Sequence, residues 1–294
     1  MEAGGAAPSA VSIHPRTRIG AVRLAVADLD RTTAFYERAI GLAVRDRSAE
    51  LVRLAASDGD PPLVELAARP GAPPRPRRST GLFHMAILVP SRLDLALALH
   101  RVVDAGWRLS GASDHLVSEA LYLSDPEDNG IEIYRDRPRD EWRYADGELQ
   151  MATLPLDLDR VLAELGAGDG GRGMGAGTRI GHVHLQVADL DEAEAFYHRV
   201  LGFEITVRSY PGALFLAAGG YHHHVGVNTW AGAAAPPPPG SRGLAWFEVQ
   251  LPGEQELERV EQRLRATGVV PRDEADGLYV ADPSGNGVLL RAAV

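Results

Sequence analysis

The chain has 294 residues, 45% apolar and 24% charged, and its net charge of −10 excludes the basic surface typical of nucleic-acid-binding proteins. It contains no cysteine, so a bound metal would need histidine and carboxylate ligands. No apolar run of ~18 residues and no apolar signal segment is present, so we expect a cytoplasmic protein of about two domains that does not enter a membrane.

The first predicted elements are a strand and a helix, and the second half of the chain repeats them. Alternating apolar residues over 22–26 predict the strand, and the Asp-Leu-Asp that follows is typical of a helix N-terminus. This stretch, IGAVRLAVADLDRTTAFYERAIGL from Ile19, returns as IGHVHLQVADLDEAEAFYHRVLGF from Ile180. In the two copies we expect Gly41 and Gly202 to end the helix.

A second, weaker repeat lies inside each half of the chain. The segment GLFHMAILVPSRLDLALALHRVVDAGW from Gly81 resembles GLAWFEVQLPGEQELERVEQRLRATGV from Gly243. Further on, LYLSDPEDNGIEIYRD resembles LYVADPSGNGVLLRAA, and Asp-Pro-x-x-Asn-Gly predicts a turn between two strands. The chain therefore holds four similar units, numbered one to four, each of one strand, one helix and three strands.

These units predict two domains joined by a Gly-rich linker. The predicted parts are a flexible tail (1–17), an N-terminal domain (18–165, with units 18–79 and 81–137 and a short helix), the linker (166–178) and a C-terminal domain (179–294, with units 179–232 and 243–294).

The repeated stretches resemble the vicinal oxygen chelate superfamily, which includes extradiol dioxygenases, glyoxalase I and bleomycin-resistance proteins. HVHLQVADLDEAEAFYHRVLGF and DPEDNGIEIY carry this resemblance, which spans nearly the whole chain from about residue 18. SEALYLSDPEDNGIEIYRDRPRDEW and GGYHHHVGVNTWAG are most similar to two-domain bacterial catechol 2,3-dioxygenases. The resemblance implies an α+β fold in which four βαβββ units pair into two curled mixed sheets around cavities.

The resemblance also implies that metal ligands lie on the first and the last strand of a unit. Units two and three carry donors at these places, namely His84, Glu132 and His182, whereas unit four carries Trp246 and Leu289. Two imidazoles and one carboxylate form the facial triad of non-haem Fe(II) oxygenases. We therefore expect Fe(II) as the cofactor, while Mn(II) fits the same ligands.

This ligand assignment requires units two and three to share one cavity, although sequential pairing within a domain is the familiar extradiol arrangement. The alternative pairs units one and two. It leaves His84 and Glu132 with Glu65 of unit one and provides no second histidine.

Two further stretches supply the residues expected to assist catalysis. In DHLVSEALYLSDP, His115 and Tyr122 match by spacing an active-site histidine and tyrosine of extradiol enzymes, with a small insertion or deletion between His115 and Glu132. Histidine suits proton transfer because its ordinary pKa lies near neutral pH. Tyr122 is a candidate to hold a substrate oxygen.

The triple histidine of YHHHVGV lies where a strand is predicted, so alternate side chains should face opposite sides. If Val225 and Val227 pack on the helix, His224 faces the cavity, and we expect it to be the acid/base. A bulge would turn His223 to the cavity instead. The candidate substrate-contacting residues are His222, His223, His184 and Asn228.

The resemblance thus favours an enzyme, an Fe(II)-dependent extradiol dioxygenase that cleaves a catechol-like diol with O2 to a muconate semialdehyde-type product. A glyoxalase-type isomerase or lyase stays open and usually needs four ligands, often with two glutamates. A non-enzymatic drug- or metabolite-binding protein also stays open, although such proteins typically lack the ligands. The expected partners are a small aromatic substrate and O2, without nucleic acid or membrane, and the chain is expected to be a monomer or a homodimer.

Overall fold

The computed structural model describes residues 12–57, 59–166, 173–274 and 277–293. All four predicted units are present in it. Units one and two comprise β1 (Arg18–Val26), α1 (Leu29–Phe35), β2 (Ala43–Arg47), β3 (Leu51–Ala55), β4 (Val64–Ala68), β5 (Gly81–Leu88), α2 (Arg92–Asp104), β6 (Gly111–Asp114), β7 (Ser118–Ser124) and β8 (Gly130–Asp136).

Short elements connect unit two to unit three: a 3₁₀ turn (Arg139–Glu141), β9 (Tyr144–Ala145), β10 (Glu148–Leu149), β11 (Leu154–Pro155) and α3 (Leu158–Leu162). Units three and four comprise β12 (Arg179–Gln186), α4 (Leu190–Glu194), β13 (Glu204–Val207), β14 (Ala213–Ala217), β15 (Val225–Asn228), β16 (Gly243–Leu251), α5 (Glu254–Ala266), β17 (Arg272–Glu274), β18 (Gly277–Ala281) and β19 (Gly287–Ala292). In units one and three the helix continues as a π-helical segment, Tyr36–Ile40 and Ala195–Val200.

The units pair into two mixed sheets, which confirms the predicted fold class. One sheet has the order β17-β18-β19-β16-β1-β4-β3-β2 and combines units one and four. The other has the order β11-β6-β7-β8-β5-β12-β15-β14-β13 and combines units two and three. Each sheet is joined at its centre by antiparallel first strands, β1 with β16 and β5 with β12.

Each half of the sequence therefore contributes one unit to each sheet, and the domain boundaries stay a prediction. Residues 1–11 of the predicted tail and 167–172 of the predicted linker lie outside the described residues. The described end of the tail is packed, because Ile13 is buried and its amide donates to the carbonyl of Gly202. No helix among the described residues is long and apolar enough to cross a membrane.

The repeated polar residues have the structural roles that their positions predict. Asp28 and Asp189 cap α1 and α4, each accepting a hydrogen bond from a backbone amide of the first turn. Gly41 follows the π-helical segment Tyr36–Ile40 and ends the helix of unit one in the left-handed conformation, with φ of 89°.

The Asp-Pro-x-x-Asn-Gly turn is tied to the helix of the preceding unit. The Asp125 carboxylate accepts bonds from the amides of Glu127 and Asn129 and from the hydroxyl of Tyr36. The second copy repeats this, with the Tyr197 hydroxyl donating to Asp282. These bonds hold the last strand of units two and four in place.

Candidate metal centre and catalytic cavity

A row of four residues crosses the cavity face of the sheet of units two and three. Each residue comes from one of four neighbouring strands, β7, β8, β5 and β12. The row consists of Tyr122, Glu132, Ala86 and His182, each opposite its neighbour in the strand register. Directly opposed residues point to the same face, and His84 shares that face because it precedes Ala86 by two residues. Ala86 has only a methyl side chain, so Glu132 and His182 can meet above it.

The structure brings the three predicted ligands together. The Oε2 atom of Glu132 lies 3.0 Å from Nε2 of His84 and 3.1 Å from Nε2 of His182. One ligand atom from each residue lies within 4.8 Å of the other two, and all three side chains are buried.

The charges and the unfilled hydrogen-bonding capacity of this cluster fit a divalent cation. Burial raises the pKa of Glu132, but His182 and His84 outweigh this effect and hold that pKa well below its usual value. Burial lowers the pKa of His182 to about 4, although Glu132 opposes the shift. Near pH 7 the carboxylate is therefore charged and this imidazole neutral, the forms that bind metal. Nε2 of His84 is buried without a well-aligned hydrogen-bond partner, despite its short distance to Glu132.

The alternative ligand Glu65 lies in the other sheet and is engaged by two arginines. Its carboxylate accepts bonds from Nε of Arg23 at 2.7 Å and Nε of Arg53 at 3.1 Å. The corresponding face of the sheet of units one and four is occupied by an apolar cluster that includes Trp246 and Leu289. The arrangement with Glu65 in place of His182 is therefore excluded by the geometry.

The position before His182 must be glycine, because the hydroxyl of Tyr134 lies close to the backbone of Gly181. Gly181→Ala is expected to destabilise the fold by about 1–3 kcal/mol, because a Cβ atom would overlap the buried hydroxyl of Tyr134. Urea unfolding followed by tryptophan fluorescence measures this loss. Gly20→Ala, at the same place in unit one, meets the flexible side-chain ends of Gln250 and Glu248 and should cost less. Equal losses in the two variants would contradict this explanation.

His115 and Tyr122 form a hydrogen-bonded pair at the cavity. His115 Nδ1 lies 2.7 Å from the carbonyl of Ala152, so this nitrogen donates. In the neutral ring Nε2 then accepts the Tyr122 hydroxyl, also at 2.7 Å. Burial and the nearby Glu132 raise the pKa of Tyr122 well above its usual value, so the phenol stays protonated at neutral pH.

The histidine triplet brings His223, and not His224, to the candidate metal site. The His223 ring centroid lies 4.0 Å from that of His182, and His223 lines the same cavity. His224 lines a different cavity, where its Nδ1 accepts the amide of Ala218. The expectation that His224 is the acid/base beside the metal is corrected accordingly.

The expected alternation fails because the regular strand begins only after the triplet. β15 starts at Val225, and the left-handed residues Gly219 and Gly220 turn the chain just before the histidines. Val225 and Val227 do pack in the core as expected. The alternation of Val225 and Val227 does not apply to the three histidines before them, because those residues are not part of the strand.

His222 lies behind His223 and is hydrogen-bonded to it. The Nε2 atom of His222 donates to the Asp136 carboxylate at 2.9 Å, and its Nδ1 lies 2.8 Å from Nδ1 of His223. Burial lowers the pKa of His223 well below its usual value, so this ring is neutral. If Nδ1 of His223 is the donor in its bond to His222, Nε2 of the neutral His223 ring is the unprotonated nitrogen. His222 therefore contacts His223 rather than the cavity.

His184 lines the cavity next to His84, whereas Asn228 does not. The ring centroids of His84 and His184 are 5.0 Å apart. Gly226 gives room to the His184 ring, because a Cβ atom at this position would lie 3.1 Å from it. The Asn228 side chain accepts the amide of Trp230 and thereby positions the residues after β15.

The cavity has a volume of about 470 Å³, and several aromatic residues that sequence reasoning missed line it. Phe83 and Trp230 are partly exposed and stack edge-on, 5.4 Å apart, and Tyr210 and Phe215 also line the wall. For these aromatic residues the sequence offered one signal, namely that Phe83 is adjacent to the candidate ligand His84. Tyr210 lies in a loop with no repeated pattern.

With this geometry in place, comparison with known families defines the class of the protein. Residues 18–133 and 179–290 match the glyoxalase/bleomycin resistance protein/dioxygenase superfamily, and the chain belongs to it. The fold is similar to that of glyoxalase I from Zea mays, which superposes with a TM-score of 0.55 at 18% identity, covering 93% of this chain and 92% of that one. The cppA protein from Streptococcus pneumoniae TIGR4 superposes with a TM-score of 0.55 at 11% identity, covering 96% and 100%.

A curated relative is similar over almost the full length. The chain is 46% identical over 277 residues to the catechol-2,3-dioxygenase of Bacillus subtilis (strain 168), which covers 92% of this chain and 96% of that protein. This similarity confirms the prediction of an enzyme resembling catechol 2,3-dioxygenase.

Proposed function

We propose that the protein is an Fe(II)-dependent extradiol dioxygenase that cleaves a catechol beside its diol with O2. The observation that carries this proposal is the convergence of His84, Glu132 and His182 in the same cavity as His223 and Tyr122. The similarity to a catechol 2,3-dioxygenase supports it. The expected product is a muconate semialdehyde.

His84, Glu132 and His182 would hold the metal ion in a facial arrangement that leaves positions open for small ligands. When bound, a divalent iron would supply the Lewis acidity and the redox chemistry that the reaction requires. Mn(II) fits the same donors.

Proton transfer is assigned to His223. We assign the ring proton of His223 to Nδ1, which lies 2.8 Å from Nδ1 of His222, and His222 is bonded in turn to Asp136 at 2.9 Å. This tautomer leaves Nε2 of His223 as an acceptor. A base with this geometry can take the proton of a catechol hydroxyl and return it when the ring opens. The Tyr122 hydroxyl, held by His115, is placed to bind a substrate oxygen.

The glyoxalase-type alternative is less well supported by the ligand set. That chemistry usually needs a fourth ligand, often a second glutamate. Among the residues that the structure describes, the ligand group contains three members, and Glu132 is the one acidic residue lining the cavity. The aromatic walls and the proton-transfer residues favour ring cleavage. Location in the cytoplasm and the oligomeric state stay predictions.

The cavity is expected to prefer catechols without an anionic substituent. No arginine or lysine is among its described lining residues, so a substrate carboxylate would be buried without a cationic partner. We expect 3,4-dihydroxyphenylacetate to show a kcat/KM at least about tenfold below that of its neutral amide, which has nearly the same size. Steady-state O2 uptake measures both values. Equal efficiencies would contradict the predicted charge selectivity.

The proposed function itself is tested by metal reconstitution. The purified protein is stripped of metal, loaded anaerobically with Fe(II), Mn(II) or Zn(II), mixed with catechol and exposed to air. We expect O2 uptake with Fe(II) or Mn(II) and none with the redox-inert Zn(II). Absence of O2 uptake across a panel of catechols, despite tight binding of the metal, would refute the proposal.

A further inference from the structure

A second cavity, of about 310 Å³, lies where the N-terminal segment meets the start of β12, and it contains His224. We propose that it binds a small oxyanion with at least two negative charges, such as a phosphate or a polycarboxylate. This site goes beyond the proposed dioxygenase function. It also gives a role to His224, which does not line the cavity of the candidate metal site.

Four arginines from three separate segments line this cavity. Arg16 precedes β1 and Arg18 is its first residue, Arg139 lies in the 3₁₀ turn after unit two, and Arg179 is the first residue of β12. Over the described residues, none of the four guanidinium groups has an acidic partner within salt-bridge distance, and no acidic side chain lines the cavity. Four unneutralised charges thus surround one cavity in a chain whose net charge is −10.

His224 adds a directed donor to this basic lining. The side chain is buried to more than nine-tenths, and its Nδ1 accepts the amide of Ala218. Nε2 therefore carries the hydrogen of the neutral ring, and no described residue accepts it. Burial, neighbouring histidines and the guanidinium groups of Arg179 and Arg139 lower the pKa of His224 to about 3, which keeps this tautomer neutral.

An oxyanion matches these donors in charge and in geometry. Guanidinium groups bind phosphate and carboxylate oxygens through paired N–H donors, and a divalent anion can engage several of them at once. A chloride ion offers no such set of acceptor oxygens. The cavity volume of about 310 Å³ accommodates a phosphorylated or polycarboxylic small molecule, and the net charge of −10 disfavours an extended polyanion.

Binding here would join three segments that are distant in sequence and would therefore stabilise the folded chain. The proposal is tested on the full-length protein with inorganic phosphate, pyrophosphate and citrate, at constant ionic strength set with NaCl. Thermal unfolding should show a saturable rise of roughly 5 °C at about 100 times Kd. Isothermal titration should give one site per chain.

The matched variants decide whether the basic cavity is responsible. Arg139→Gln with Arg179→Gln should weaken binding at least about tenfold, because two charged donors are lost. Arg38→Gln with Arg108→Gln removes the same charge from exposed arginines outside the cavity and should leave Kd unchanged. Tighter binding of pyrophosphate assigns a phosphate ligand, and tighter binding of citrate a polycarboxylate. No saturable response, or equal loss in both double variants, would overturn the proposal.

Discussion

Glu132→Gln is expected to abolish metal binding and dioxygenase activity together. Glu132 supplies the one charged donor of the proposed ligand set, and its Oε2 atom lies between both imidazoles at 3.0 and 3.1 Å. The amide is nearly isosteric but neutral. Metal affinity should fall at least about 100-fold. Loss of a residue that only hydrogen-bonds to a metal ligand already lowers metal affinity by about 10- to 100-fold. Metal content after dialysis and O2 uptake measure the two effects.

Glu65→Gln is the matched control for this variant. Glu65 is a buried glutamate of unit one, bound to Arg23 and Arg53 in the other sheet, so its loss should lower stability without lowering metal content. If Glu65→Gln loses the metal while Glu132→Gln keeps it, the assignment of the metal to units two and three is wrong.

His223→Ala is expected to retain the metal and to lose turnover. His223 lines the cavity beside His182 and is the proposed acid/base, and such a group typically contributes about 10²- to 10⁴-fold to the rate. We expect kcat to fall by that factor, with a much smaller change in KM. Because solvent would replace the base, the remaining activity should rise with pH. Steady-state kinetics over a pH series measure both.

His224→Ala tests whether His223 or His224 is the acid/base. His224 lies on the wall of the other cavity, so this variant should keep most of the wild-type kcat and a full complement of metal. A loss of turnover in His224→Ala together with normal turnover in His223→Ala would show that His224, and not His223, is the acid/base.

The sequence was sufficient to predict the features that depend on the repeat. Two such features are the helix caps, Asp28 and Asp189, and the Asp-Pro-x-x-Asn-Gly turns. Both depend on local sequence, and both kinds of feature occur twice in the chain. The ligand places followed from the resemblance, and the strand register shows why they converge. Glu132 and His182 are both opposite Ala86, although they are far apart in the chain.

The missed features depend on the path of the backbone rather than on periodicity. The triplet lies before β15, so strand alternation could not assign His223 to the metal centre. Trp230 reaches the cavity through a turn held by the Asn228 side chain. The basic cavity combines Arg18 and Arg179, which occupy equivalent places in the repeat, with Arg16 and Arg139, which the repeat does not match.

The most direct test of the central claim is the identity of the product formed from catechol by the Fe(II)-loaded protein. We predict that one O2 is consumed per catechol and that the product is the yellow ring-opened semialdehyde, identified by its visible absorbance and mass. Formation of cis,cis-muconate, of a quinone, or of no product from a fully metal-loaded protein would contradict extradiol cleavage at this site.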